Sequence, residues 1–207
     1  MPFIAHNGRT LLYIHVPKTG GGTVEGWMKT IAPVRFHSVG IPPALRCTPQ
    51  HLRMADFRSL FGGGFFDHVV MSVRNPYDRI ASEYRMRAVI GGKGFWRAFP
   101  SFSMWLEQSL ADAARNPYHL DNHLRPHWEF HGSGVEVLRY EDGVPAMVAR
   151  IAALLGVAPP ESLPRVHDTS GAGIEVTWDV ADILRVNAAY RQDFELFGYP
   201  MLTEAPA

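Results

Sequence analysis

The sequence predicts an α/β fold, a parallel sheet flanked by helices in a single domain spanning residues 1–207. Two observations carry this. The stretch LLYIHVPKTGGGTVEGW, Leu11 to Trp27, is an apolar run that breaks into a lysine and three glycines and resumes at helical spacing. Further along, short β-rich runs keep alternating with amphipathic stripes, the pattern of strands joined by crossover helices.

In chain order, Leu11–Val16 is a short apolar run bounded by Pro17 and reads as a buried strand. Val24, Trp27, Met28 and Ile31 recur at helical spacing after the glycines, with Pro33 just beyond. His68–Val73 is a second buried strand. Pro76, suited to a first helical turn, opens a helix to about Val89 that Gly91-Gly92 ends. Phe102–Arg115 reads as helix, stopped by Asn116-Pro117, and Val135–Leu138 as a third strand. Val144, Met147, Val148, Ile151, Leu154 and Leu155 form an apolar stripe closed by Gly156. A last stripe runs from Trp178 to Phe197 through Ile183, Val186, Tyr190 and Phe194. The segments Val34–Pro49 and Leu163–Gly173 read as irregular loops. In such sheets ligands sit beyond the carboxyl ends of the strands.

Composition narrows the function. With 46% hydrophobic residues the chain can fill a core, and 20 basic residues balance 20 acidic ones. No general attraction to nucleic acid or to an anionic membrane follows, so any anion site must be local. The single cysteine, Cys47, fits a reducing compartment, and no apolar run approaches the length of a membrane span. A cytoplasmic protein is expected.

A strand feeding a glycine loop and then a helix offers free backbone N–H groups and a positive dipole end to an anion. Gly20, Gly21 and Gly22 let the backbone approach phosphate oxygens, Lys18 adds a point charge, and Thr19 and Thr23 add hydroxyls. The order is not that of a Walker A motif, because the lysine precedes the glycines. Where a nucleotide enzyme using Mg²⁺ would end its next strand in aspartate, HVVMSV ends in Arg74. RNPYDRIASEY then places Arg74 at the strand end, Arg79 in the first helical turns and Ser82 one turn on. Arg74 and Ser82 suit a second phosphate, and Arg79 reads equally as a helix-surface or salt-bridge residue. One nucleotide with two phosphate grips and no metal is the chemical outline.

At PKTGGGT (Pro17–Thr23) and RNPYDRIASEY (Arg74–Tyr84) the chain resembles the sulfotransferases that use 3′-phosphoadenosine 5′-phosphosulfate, PAPS. The resemblance is to the carbohydrate branch, the heparan sulfate 2-O- and 6-O-sulfotransferases and their bacterial relatives. Weaker echoes continue at LRYED (Leu138–Asp142) and YRQDFELFGY (Tyr190–Tyr199). The resemblance implies a P-loop-like sulfotransferase fold, with Lys18 and the loop from Thr19 to Thr23 on the 5′-phosphosulfate end. It places Arg74 and Ser82 on the 3′-phosphate, and Ser170, in HDTSG, on a late loop closing over the nucleotide. Aligned loop to loop, Gly22 replaces the usual threonine and Thr23 the serine, which removes one side-chain contact and leaves the backbone donor.

A sulfuryl group carries one negative charge, so the leaving diphosphate is the main charge to neutralise. Lys18, helix N–H groups and Arg74 suffice without a metal, and a base must take the acceptor hydroxyl's proton. The resembled enzymes place that histidine between the two phosphate motifs, at the start of a helix. His51 stands there, with Thr48-Pro49 as a helix-start signal, and His37 is the runner-up. His119, His123, His127 and His131 recur every four residues, a spacing that on one helix would suit zinc. Pro126 argues against a continuous helix, so no metal site is expected, and the segment reads as a helix break beside the acceptor cleft. His127 stands where relatives often have glutamine. Phe95, Trp96, Phe99 and Trp105 at near-helical spacing read as core rather than as a sugar platform.

The expected activity is sulfuryl transfer from PAPS to a hydroxyl of a carbohydrate or glycan-like acceptor, with Lys18 and His51 catalytic. The alternatives are a P-loop-like kinase using ATP and a non-catalytic nucleotide- or glycan-binding protein.

Overall fold

The computed structural model describes residues 1–37, 40–91, 99–163 and 173–205. Its four-stranded sheet is mixed, in the order β1 (Phe3–His6), β2 (Arg9–Ile14), β3 (His68–Val73), β4 (Glu136–Arg139). β2, β3 and β4 run parallel as expected. β1 adds an antiparallel edge that the sequence reading did not include, with Phe3 opposite Leu12 and His6 opposite Arg9. Asn7 and Gly8 make the two-residue turn, both left-handed at φ 51° and 72°. That is the Asn-Gly hairpin turn whose backbone matches the twist of the flanking strands.

By its internal contacts the chain forms two compact units, residues Met1–Arg74 with His127–His167, and residues Asn75–Pro126 with Asp168–Ala207. The first unit holds the sheet. α1 (Gly21–Ile31) and α5 (Val144–Leu155) cover one of its faces, where Ile4, Leu11, Tyr13 and Val70 meet Val24, Trp27, Met28, Met147, Val148, Ile151 and Leu155. Each fully buried aliphatic side chain of this kind stabilises by about 1.5–3 kcal/mol. Alternation sends Phe3 and Leu12 to the other face. There Phe3 joins Phe57 and Phe61 of α2 (Met54–Phe61), Phe36, Phe65 and Phe66, with ring centroids 4.9 to 6.4 Å apart.

The second unit is helical: α3 (Pro76–Gly91), α4 (Phe102–Arg115), α6 (Val180–Ala189) and α7 (Arg191–Phe197). The stripe from Trp178 to Phe197 is therefore two helices. Its apolar residues stay in phase across the break at Tyr190, which leaves the helical region at φ −119°, ψ 22°. Tyr84 packs on Phe99, Phe102 and Trp105; Trp105 is buried as expected, whereas Phe99 is only half-buried. Phe95 and Trp96 lie outside the described residues.

Arg79 is fully buried, which corrects its reading as a surface residue. Its Nη2 donates to the carbonyls of His123 and Arg125, each at 2.7 Å, and its guanidinium lies 5.7 Å from the Tyr190 ring centroid. Those carbonyls belong to a non-helical stretch in which Leu120, Asp121 and Asn122 are all left-handed. The helix break near Pro126 is thus a set of turns organised around one buried cation.

Among the described residues no helix is long and apolar enough to cross a membrane.

Candidate functional site

β2 ends at Ile14, and the chain turns through His15 to Gly20 into α1. Lys18 is left-handed at φ 69° and Gly20 at φ 86°. A Cβ on Gly20 would lie 3.0 to 3.3 Å from Val144, Met147 and Tyr140, so the loop's tip is packed as well as twisted. Among the described residues no side chain caps the N-terminus of α1, and no acidic residue stands in its first turn. Its dipole end and early N–H groups are left for an anion.

Thr19 is fully buried, and its hydroxyl serves the loop itself. It donates to the Val16 carbonyl at 2.7 Å and lies 2.6 Å from Ser72 Oγ, which is 2.6 Å from Tyr13 Oη. This chain of hydroxyls ties the loop to β2 and β3. Gly22 and Thr23 are half-buried in the first turn of α1.

Arg74 follows β3 and comes to the same loop. Its Nη1 donates to the Lys18 carbonyl at 3.3 Å, and its guanidinium stacks 4.3 Å from the Tyr140 ring centroid. Its Nε is buried without a hydrogen-bond partner among the described residues. Lys18 and Arg74, remote in sequence, are brought together. Ser82 is half-buried on α3 in the second unit, and the chain passes between units at Arg74 and Asn75. Ser170 lies outside the described residues.

His51 is buried. Thr48-Pro49 opens only a 3₁₀ turn, Pro49–His51, rather than the expected helix start. Leu52 and Arg53 are then extended, and α2 begins at Met54, with Asp56 accepting from the Arg53 backbone N–H at 2.9 Å. Gln50 Nε2 lies 3.2 Å from His51 Nε2, and Thr48 Oγ1 lies 3.2 Å from Nδ1. An amide nitrogen only donates, so this pairing leaves the Nε2 lone pair as acceptor and the ring proton on Nδ1.

Beside it stands a network the sequence reading did not identify. His15 Nδ1 bonds to Glu25 Oε1, and the His15 and His51 rings meet edge to face with centroids 5.1 Å apart. His37 Nδ1 lies 2.6 Å from Glu25 Oε2, off the axis of a hydrogen bond. Lys29 Nζ lies 2.7 Å from His37 Nε2. Burial alone would raise the Glu25 pKa, but the two imidazoles outweigh it and hold the carboxyl at about 2. Glu25 is therefore an anion that only accepts, which fixes the His15 proton on Nδ1. Lys29 only donates, which commits the His37 Nε2 lone pair.

Of the four spaced histidines, His119 and His123 fall in the second unit and His127 and His131 in the first. His123 Nδ1 lies 2.7 Å from Glu83 Oε2, and Arg87 Nε donates to the other oxygen at 2.7 Å. Burial raises the Glu83 pKa, and His123 with Arg87 more than reverses this, to about 2.

Comparison with known proteins adds one finding. A family model described as "Sulfotransferase family" matches residues 2–200. No curated protein and no solved structure matches the chain significantly. The match spans nearly the whole sequence: the chain belongs to the sulfotransferase family.

Proposed function

We propose that this sulfotransferase moves a sulfuryl group from PAPS to a hydroxyl of a carbohydrate or glycan-like acceptor, as one functional domain in the cytoplasm. The observation that carries the reading is Arg74, whose buried Nε lacks a partner among the described residues and whose Nη1 holds the Lys18 carbonyl. Such a donor, next to an uncapped helix N-terminus, fits a ligand with two separated phosphates. A cation at the end of β3, where a Mg²⁺-binding carboxylate would serve ATP, disfavours the kinase alternative.

In this reading Lys18, the N–H groups of Gly20 to Gly22 and the Thr23 hydroxyl meet the 5′-phosphosulfate end. Thr19 acts by holding the loop's shape. Arg74 meets the 3′-phosphate, and the motif extends that role to Ser82 and, on the late loop, to Ser170. The acceptor oxygen forms a bond to sulfur while its proton passes to His51 Nε2, whose lone pair the Gln50 amide must first release. The bond from sulfur to the 5′-phosphate oxygen breaks, and adenosine 3′,5′-diphosphate leaves with its charge met by Lys18. His51 is favoured over His37 as base by its place between the two phosphate motifs, where the resembled enzymes carry the catalytic histidine.

A thermal-shift titration tests the nucleotide. Adenosine 3′,5′-diphosphate should stabilise the protein without added metal, and more than adenosine 5′-phosphate does; Arg74→Ala should remove most of the difference. His51→Ala should keep that stabilisation and lose about 10²–10⁴-fold in turnover. Lys18→Ala should weaken both, and His37→Ala should retain most activity. Equal stabilisation by both nucleotides would reject the two-phosphate reading, and undiminished turnover in His51→Ala would reject the base.

A further inference from the structure

The His15 ring sits between two things the proposed reaction needs. One is α1, whose first residue Gly21 has no side chain. A Cβ built there would lie 2.5 Å from His15 Cδ2 and 2.8 Å from Cε1, and nearer still to Nε2. The other is the His51 imidazole, met edge to face at 5.1 Å. The ring cannot swing freely, because its Nδ1–H is held by the buried Glu25 carboxylate, itself rooted on α1. Helix, carboxylate, His15 and His51 thus form one packed series starting at the loop that would carry the phosphate.

We infer that His15 is a positioning residue: oriented by Glu25, its ring sets where the His51 imidazole stands relative to the glycine loop. The inference rests on the reading of His51 as the base. A base displaced by an ångström loses much of its advantage, roughly 10–100-fold, because proton transfer depends on a near-attack geometry. Glu25 acts in the manner of a carboxylate behind a catalytic imidazole, one ring further back, by fixing a tautomer and an orientation. His15 itself touches neither donor nor acceptor in this scheme. Its loss should lower kcat and leave nucleotide affinity alone.

His15→Asn is the informative variant, since the amide can still donate to Glu25 and keeps that buried carboxylate partnered while the ring is lost. The assay is basal release of adenosine 3′,5′-diphosphate from PAPS, with water as acceptor and sulfate as co-product, so the natural acceptor need not be known. His15→Asn should lower kcat by about 10–100-fold, with the Kd for adenosine 3′,5′-diphosphate within about threefold of the parent. The double variant His15→Asn/His51→Ala should be no slower than His51→Ala alone, because His15 acts through His51. Parent-like kcat in His15→Asn would overturn the inference, as would a Kd that rises in step with the fall in kcat, or a double variant slowed further. If His51→Ala keeps parent turnover, the failure lies with His51 as base; if only His15→Asn does, it lies with the positioning role.

Discussion

Adding one methyl group at two glycines of the same helix should have opposite effects. Gly21 and Gly26 both lie in α1, and neither has a left-handed backbone. At Gly26 a Cβ meets nothing within 4 Å, so Gly26→Ala gains helix propensity at no steric cost, about 0.5–1 kcal/mol. At Gly21 the same Cβ would come within 2.8 Å of three atoms of the His15 ring. To restore ordinary contact the ring must retreat by roughly 1 Å, and overpacking of this kind costs about 1–3 kcal/mol. The retreat also pulls Nδ1 from Glu25, a buried carboxylate whose pairing is expensive to break. For a chain of this size 1 kcal/mol moves the melting temperature by roughly 2–4 °C. Thermal unfolding at neutral pH should then show Gly26→Ala raised by about 2 °C and Gly21→Ala lowered by about 4–8 °C. A Gly21→Ala protein as stable as Gly26→Ala would refute the wedged position of His15, and with it the packed series behind His51.

Two further outcomes follow from buried charge. Arg79→Met keeps apolar bulk but strips the His123 and Arg125 carbonyls of their donor, and should cost about 3–5 kcal/mol by urea denaturation; a cost under 1 kcal/mol would show that the carbonyls find other donors. Glu25 and Glu83 have folded-state pKa values held at about 2 against the ordinary 4.5, so each contributes stability that is present above 4.5 and lost as pH falls toward 2. At neutral pH each depression is worth about 3 kcal/mol. Glu25→Gln or Glu83→Gln should therefore differ from the parent most at neutral pH, with the gap closing between pH 4.5 and 2; a gap constant across that range would contradict the pairing with His15, His37, His123 and Arg87.

Much of the scaffold was legible because it is written in local signals. α4 occupies Phe102–Arg115 as read, and α5 follows its stripe from Val144 to Leu155, since periodicity and breakers act within a few residues. β1 was missed although Asn7-Gly8, a strong hairpin signal, stands directly after it. Four residues of edge strand carry little hydrophobic weight of their own beside the longer apolar run of Leu11–Val16. At the site, Lys18 and Arg74 were readable as motif members. Their meeting through a carbonyl was not, because pairing across strands has no local period. Glu25 was invisible for a different reason. A glutamate in a helix reads as solvated, and only the fold shows that two distant histidines converge on it.

Lys18 holds a conformation that costs an L-residue other than glycine about 1–2 kcal/mol. Selection for a hardier protein therefore has an easy move available there, because Lys18→Gly would relax the backbone and raise the melting point in one step. The same step discards the ammonium group from the glycine loop. A directed-evolution campaign scored on heat resistance alone would be drawn toward this site and, on the reading given above, toward a robust catalyst that no longer turns over. The tension at one φ angle is a record of what the chain gives up in durability to keep a positive charge where it stands.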